Sequence, residues 1–152
     1  MKILVIDDTA ANLEAAKSQL AGHEVVTVGS FDEAFKLVCH YDSGWQKENV
    51  VDFDAVLIDL MMPAGKKSQG PRGMRFVGEE MPLGIFLALQ ALRSGVKRVG
   101  LLTDTNHHDH PASAALDHLG RMELGESVLV VNNNSGPDKR WDKLLERFQD
   151  KY

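Results

Sequence analysis

Acidic residues follow separate apolar runs of this sequence, and their types suggest metal or phosphoryl chemistry. Asp7 and Asp8 come directly after one such run, Asp59 ends another, and Thr103 follows a third. Grouped carboxylates repel one another and generally need a counter-cation, and hard oxygen ligands suit Mg²⁺. A carboxylate beside that ion can attack phosphorus and form an aspartyl phosphate, with the Thr103 hydroxyl placed to bond a phosphoryl oxygen. The alternative, which stays open, is that each Asp caps the helix that follows it.

The apolar runs alternate with helical patterns along the chain. Each short run is predicted to be a buried strand, and the five runs are Ile3–Ile6, Val25–Val28, Ala55–Ile58, Val99–Leu102 and Val128–Val131. Apolar stripes at helical spacing follow the runs, and Ser30 to Glu33 has the spacing of a capping box. The alternation predicts an α/β fold, a doubly wound five-stranded parallel sheet of flavodoxin-like (βα)5 type. The polar residues after the strands should therefore meet at one edge of the sheet.

Length and composition limit the function classes. The 152 residues predict a single domain over 1–152, and the single cysteine, Cys39, excludes an intrachain disulfide framework and a multi-cysteine zinc site. The net charge of -5 argues against a nucleic-acid surface. Neither a membrane-length apolar stretch nor a signal peptide is found, so we expect a cytoplasmic protein with no membrane partner.

Several nucleotide and hydrolase motifs are missing from the sequence. The chain has no Gly-x-Gly-x-x-Gly after its first strand, no P-loop sequence and no Gly-x-Ser-x-Gly elbow. The first acidic pair is adjacent, whereas haloacid-dehalogenase-type phosphatases would need one residue between the two Asp. A small metal-dependent phosphohydrolase built on Asp7, Asp8 and Asp59 stays open as a remote alternative.

The three segments that carry the Asp residues and Thr103 together resemble those of a known family. The sequence reads Val-Ile-Asp-Asp at 5–8, Leu-Ile-Asp-Leu-Met-Met-Pro at 57–63 and Leu-Leu-Thr at 101–103. In this order, and over nearly the whole chain, it resembles a response-regulator receiver domain of two-component signalling. The resemblance implies that Asp59 is the phosphoacceptor and that Asp7, Asp8, Asp59 and the Met62 backbone carbonyl hold Mg²⁺. Thr103 would then be the switch hydroxyl.

The same resemblance implies partners and a mode of action. A sensor histidine kinase or a histidine phosphotransfer protein would donate the phosphoryl group, and an output protein would be bound by contact. A homodimer is also compatible with the family. The chain would be no enzyme beyond its own phosphorylation and dephosphorylation.

The sequence departs from the family around the fifth strand and the switch residue. The family has a Lys at the end of strand five, where this chain has Asn132, and an amide brings no charge to a phosphoryl group. Asp104 follows Thr103 where the family commonly has a small residue, and the fifth strand has no aromatic residue. The missing Lys, Asp104 and an insertion at 64–81 favour an alternative, a pseudo-receiver that binds partners without phosphorylation.

Two long connections account for most of the extra length. Residues 41–54 form an extended connection that contains Trp45, and residues 64–81 are inserted after the Met-Met-Pro turn. The glycines and cations of this insertion predict a loop, which is either a solvated excursion or a lid beside Asp59. One hypothesis is that a cation of the insertion replaces the missing Lys, the candidates being Lys66, Lys67, Arg72 and Arg75.

A histidine-rich segment follows the fourth strand. His107, His108 and His110 could bind a transition metal, but such closely spaced loop residues rarely all reach one ion. We expect a polar loop here, in which His107 or His108 could still face the phosphorylation site and change charge near neutral pH.

Overall fold

The strands and helices of this protein alternate along the chain, as the apolar pattern predicts. The computed structural model describes residues 1–39, 52–67, 69–106, 109–116, 118–133 and 138–149. The strands are β1 Lys2–Ile6, β2 Glu24–Val28, β3 Ala55–Asp59, β4 Met62–Pro63, β5 Glu80–Met81, β6 Arg98–Thr103, β7 Arg121–Leu124 and β8 Ser127–Asn133. The helices are α1 Ala10–Gln19, α2 Phe31–Val38, α3 Gly84–Arg93, α4 Pro111–Leu116 and α5 Trp141–Glu146.

Six strands form the main sheet, in the order β2-β1-β3-β6-β8-β7. The first five in this order are mutually parallel and correspond to the five predicted strands. This confirms the doubly wound α/β prediction. The sixth strand, β7, is antiparallel to β8 and was not predicted. A two-residue turn joins them, and Gly125 in that turn has a φ of 64°, a conformation typical of tight hairpins.

Each face of the sheet has its own apolar core, because successive strand residues point to opposite sides. Leu4 and Ile58 belong to the cluster that packs with residues of α2, α3 and α4. Val5 and Leu57 belong to the other cluster, together with Trp141 and other residues of α1 and α5. The centres of β1, β3 and β6 are buried on both faces, as expected for the interior of a parallel sheet covered by helices, whereas β2 at the edge is only partly buried.

Local signals in the sequence define several helix ends. Ser30 accepts a hydrogen bond from the backbone N–H of Glu33 at 3.3 Å, and its own hydroxyl contacts the Glu33 carboxylate at 3.1 Å. Ser30 is therefore the N-cap of α2 as predicted, and Glu33 accepts from the Ser30 hydroxyl rather than from its backbone N–H. Gly95 follows α3 with a φ of 90°, a backbone conformation that favours glycine at a helix C-terminus.

The 64–81 insertion contains more ordered structure than a plain loop. Its two ends are joined by the antiparallel pair β4 and β5, in which Met62 lies opposite Met81. A single 3-10 turn spans Gly73–Phe76. The prediction of a loop without a helical period is therefore corrected at both points, since two-residue strands and one 3-10 turn are too short to leave a periodic signal.

Two of the predicted features lie outside the described residues. Most of the 41–54 connection, with Trp45, is outside them, and so are His107 and His108. His110 is described, and its Nδ1 accepts a hydrogen bond from the backbone N–H of Ala112 at 3.1 Å. This bond satisfies a backbone donor at the start of α4.

The packing of Gly84 gives a test of how α3 is seated beside β3. A Cβ at this position would lie 2.1 Å from the Asp59 carbonyl oxygen and 2.8 Å from the Leu60 Cα. We expect Gly84→Ala to lower the free energy of unfolding by about 2 kcal/mol or more, because backbone atoms cannot move aside as a flexible side chain can. Urea denaturation measures the difference.

Gly22→Ala is the matched control, since nothing lies within 4 Å of its Cβ position. The control should leave stability unchanged or raise it by about 0.5 kcal/mol. Equal stability of the two variants would contradict this account of the α3 contact.

Candidate functional site at the carboxyl edge of the sheet

Strand register brings the predicted site residues to one edge of the sheet. Ile6 of β1 lies opposite Ile58 of β3, so the residues that follow them, Asp7 and Asp59, are neighbours. Asp59 lies opposite Leu102 of β6, so Thr103 extends one residue further. Parallel strands that end together thus gather side chains that are about fifty residues apart in sequence.

The acidic residues form a compact ligand set. Asp7, Asp8 and Asp59 each offer a carboxylate oxygen, and these oxygens lie within 4.8 Å of one another. Asp7 is fully buried and Asp59 is 5% exposed, whereas Asp8 is partly exposed. The Oδ1 atom of Asp59 is buried and has no hydrogen-bond partner among the described residues. An unpartnered buried carboxylate oxygen in an acidic cluster fits a hard divalent cation such as Mg²⁺, with Asp8 and Asp59 as the most available ligands.

A buried lysine compensates part of this negative charge. The ammonium of Lys139 lies 2.7 Å from Asp7 Oδ2 and 2.8 Å from Asp59 Oδ2, and it is 3.8 Å from Asp104 Oδ2. Lys139 is only 2% exposed. The site therefore contains the positive charge that the sequence at the end of β8 lacks.

The presence of Lys139 corrects two sequence-based expectations. The site has a cation, and it comes from the residues before α5 rather than from the end of β8. Asn132, expected in the place of the missing Lys, instead accepts a hydrogen bond from the Arg147 guanidinium. The hypothesis that the 64–81 insertion supplies the cation is also wrong, because Lys139 makes these contacts with Asp59. The Lys67 ammonium, for example, lies over the Phe35 ring, 4.7 Å from its centroid.

Hydrogen bonds from α1 and α5 hold Lys139 in place. The Gln19 side chain donates to the Lys139 carbonyl at 2.9 Å and accepts from the Trp141 backbone N–H at 2.8 Å. The Trp141 indole donates to the Asn12 carbonyl at 3.1 Å. The Asn12 amide in turn donates to both oxygens of Asp7 at 3.1 Å. The lysine and its carboxylate partner are therefore oriented by one connected network.

The sequence carries a weak signal for Lys139. It lies seven residues after Asn132, just before the apolar stripe of the last helix. A lysine in a connection at the carboxyl edge of a parallel sheet can reach the site, but the sequence does not reveal the path of that connection. Reasoning from the strand end alone therefore missed it.

The remaining predicted residues lie near this cluster. Thr103 is 2% exposed, and its hydroxyl accepts a hydrogen bond from the Thr105 backbone N–H at 3.1 Å. Met62 follows Asp59 by three residues and pairs with Met81 in the short β4–β5 ladder. The roles of Thr103 as a switch hydroxyl and of the Met62 carbonyl as a metal ligand stay predictions.

Burial and neighbouring charges shift the pKa values of the site. Desolvation raises the pKa of Asp59 to about 7, with Asp7 and Asp104 adding to the rise and Lys139 opposing it. Desolvation also raises the pKa of Asp8, and the charge of Asp7 raises it further. Desolvation lowers the pKa of Lys139, but the charges of Asp59 and Asp7 outweigh it and leave that pKa above its ordinary value. The ammonium therefore stays charged at neutral pH.

Comparisons with known proteins agree with this arrangement. No family model matches the sequence, and no curated protein matches it significantly. Several solved structures share the fold. One is a response regulator receiver domain protein from Clostridium thermocellum, with a TM-score of 0.56 and 21% identity over 97% of this chain and 91% of that one.

Two further solved structures with this fold are also response regulators. The response regulator TrrA from Thermotoga maritima, solved with Mg²⁺ and BeF, has a TM-score of 0.52 and 20% identity over 97% of this chain and 96% of that one. A CheY-like receiver domain protein from Methanospirillum hungatei has a TM-score of 0.55 and 18% identity over 97% and 90%. This chain therefore has the fold of response regulator receiver domains over nearly its whole length.

The ion pairs of Lys139 predict a large stability effect. In Lys139→Met, two buried carboxylates lose their positive partner. We therefore expect the free energy of unfolding to fall by about 3–5 kcal/mol at pH 8 without divalent cations. Lys143→Met is the matched control, because Lys143 pairs with Glu146 at the surface and the change should cost less than about 1 kcal/mol. Urea denaturation compares them, and a similar loss in both variants would contradict a buried role for Lys139.

The raised pKa of Asp59 predicts a pH-dependent stability difference. A carboxyl whose folded pKa lies above its unfolded value stabilises the fold below pH 4 and loses that contribution as pH rises through about 7. In EDTA, the free energy of unfolding of Asp59→Asn minus that of the wild type should therefore increase by up to about 4 kcal/mol between pH 4 and pH 8. A constant difference across this range would show that the pKa of Asp59 is not raised.

Proposed function

We propose that this protein is a response regulator of a phosphorelay, in which Asp59 accepts a phosphoryl group with Mg²⁺ and the protein signals by contact with a partner. The observation that carries the proposal is the surroundings of Asp59. One of its oxygens contacts the buried Lys139 ammonium at 2.8 Å, the other has no hydrogen-bond partner among the described residues, and two further carboxylates adjoin it. The receiver-domain fold supports the same role.

The proposed step is a transfer from a phosphohistidine to Asp59. A carboxylate oxygen of Asp59 attacks phosphorus, the phosphorus–nitrogen bond breaks, and the imidazole leaves with a proton from solvent. The products are an acyl phosphate and a neutral histidine. The donor would be a sensor histidine kinase or a histidine phosphotransfer protein. Small acyl phosphates offer the same chemistry with a carboxylate leaving group.

Lys139 would neutralise charge during this transfer. Its ammonium already contacts Asp59, and it can pair with a phosphoryl oxygen as a compact point charge. Thr103 would donate a hydrogen bond to another phosphoryl oxygen after its hydroxyl turns from the Thr105 N–H. Asp104 would oppose the reaction, because its carboxylate lies 3.8 Å from the same ammonium and repels an incoming dianion.

Asp8 and Asp59 would hold the Mg²⁺ ion, with Asp7 beside them. The ion would supply positive charge to the phosphoryl oxygens and lower the pKa of Asp59. The second effect matters because, with a pKa of about 7, Asp59 is partly protonated near neutral pH without a metal and is then a poor nucleophile. Metal binding would thus couple to the ionisation of the phosphoacceptor.

Phosphorylation by acetyl phosphate tests the proposal directly. With Mg²⁺, intact-mass spectrometry should show one added phosphoryl group, which hydroxylamine removes because acyl phosphates react with that nucleophile. EDTA should prevent the addition, and Asp59→Asn should abolish it. Asp52→Asn should react like the wild type, since Asp52 pairs with Lys2 at the opposite end of β1.

Other outcomes would favour the alternative functions. A folded protein with no acyl phosphate in this assay would overturn the proposal and favour a pseudo-receiver that binds partners without phosphate. Steady Mg²⁺-dependent release of phosphate from an aryl phosphate ester would instead indicate a phosphohydrolase. Sedimentation with and without beryllofluoride would show whether occupation of the site changes the oligomeric state.

A further inference from the structure

A concave cavity of about 400 Å³ lies between α2, α3 and the 64–81 insertion. Its walls are largely aromatic and aliphatic, and they include Phe31, Phe35, Phe86, Lys67 and Gly65. No residue that lines it belongs to the acidic cluster. Its volume is within the range of small-molecule sites, which are concave, mostly apolar and carry a few placed polar groups.

Three phenylalanines form one wall of this cavity. The rings of Phe35 and Phe86 are stacked, with centroids 5.8 Å apart and an interplanar angle of 9°. Phe31 contacts each of them with centroids 6.0 Å apart. Phe86 is nevertheless 38% exposed, so an aromatic surface faces the cavity and solvent. Flat aromatic or branched apolar groups pack well on such a wall.

The insertion that covers this wall is fixed by polar contacts. Both carboxylate oxygens of Asp32 accept backbone hydrogen bonds, from the Lys66 N–H at 3.0 Å and the Lys67 N–H at 3.1 Å. Gly65 allows this approach, because a Cβ there would lie 2.1 Å from Asp32 Oδ1. The pairing of β4 with β5 closes the base of the insertion. The cavity is therefore largely formed before any ligand binds, which lowers the entropic cost of binding.

Charge at the cavity indicates the kind of ligand. Among the described residues that line it, Lys67 is the one that carries a charge, and its ammonium lies over the Phe35 ring. The neighbouring Asp32 carboxylate is already bonded by two backbone N–H groups. An apolar body on the aromatic wall would thus place an anionic group near the Lys67 ammonium.

We propose that this cavity binds a small amphiphilic ligand, with an aromatic or branched apolar body and one anionic group that pairs with Lys67. The ligand would be a free small molecule, because the cavity has the volume of a small-molecule site and is lined by aromatic rings and one charged side chain. The proposal is independent of phosphorylation at Asp59. It also assigns a role to the 64–81 insertion and to a cation that the acidic site does not use.

Two dyes of related shape test the proposal. Anilinonaphthalene sulfonate carries an anionic group, whereas N-phenylnaphthylamine has a similar aromatic body and no charge. Fluorescence titration of the native protein should show one saturable site for each. Lys67→Gln should raise the dissociation constant of the anionic dye about threefold to tenfold, as expected for the loss of an exposed charge-assisted contact. It should leave the dissociation constant of the neutral dye unchanged.

Lys66→Gln is the matched control, since Lys66 is the adjacent lysine, is exposed, and does not line the cavity. It should bind both dyes like the wild type. Phe86→Ala should weaken the binding of both dyes, because it removes part of the aromatic wall. Both lysines are exposed, so their substitutions do not depend on refolding of the core, and urea denaturation of each variant would verify that the native state persists.

The dye titrations distinguish results that support the proposal from results that overturn it. Selective loss of the anionic dye in Lys67→Gln supports the proposal. Equal effects of the two lysine substitutions would overturn it, as would binding at several weak sites per chain. Absence of binding by both dyes would also overturn it and would point instead to a macromolecular partner for this face.

Discussion

The contact of one buried ammonium with two buried carboxylates organises the carboxyl edge of the sheet in this protein. Lys139 lies within 2.8 Å of both Asp7 and Asp59, and all three side chains are almost inaccessible to solvent. Burial of a charge without a partner costs several kcal/mol, so the lysine and the carboxylates require one another. The Gln19 and Trp141 contacts hold the residues around Lys139 close to α1, which keeps this pairing in place.

The same pairing compensates only part of the negative charge at this edge of the sheet. One positive charge does not balance the carboxylates that surround it, and burial with the remaining repulsion raises the pKa of Asp59 to about 7. A site with an unbalanced negative charge and an unpartnered carboxylate oxygen favours a further cation. Ionisation of Asp59 therefore lowers the stability of the fold in the absence of a further cation, since its pKa is raised by burial and by the neighbouring carboxylates.

The 64–81 insertion packs against α2 and α3. Its backbone is bonded to α2 through Asp32, and its ends pair as β4 and β5. It faces the aromatic wall of α2 and α3, whereas the ion pairs of Asp59 involve Lys139. Positive residues in a loop next to an acidic site suggest electrostatic pairing with that site, but a loop of this length can fold to either side of its anchor points, and here Lys67 lies over Phe35.

The α/β alternation, the helix cap at Ser30 and the meeting of Asp7, Asp8 and Asp59 could all be predicted from the sequence. These features depend on local periodicity and on the rule that parallel strands end at a common edge. The folded chain was needed to see that Lys139 reaches Asp59, that Asn132 bonds Arg147, that β7 extends the sheet and that the insertion lines a cavity. Each depends on the path of an irregular connection or on a very short strand pair, and neither leaves a periodic signal in the sequence.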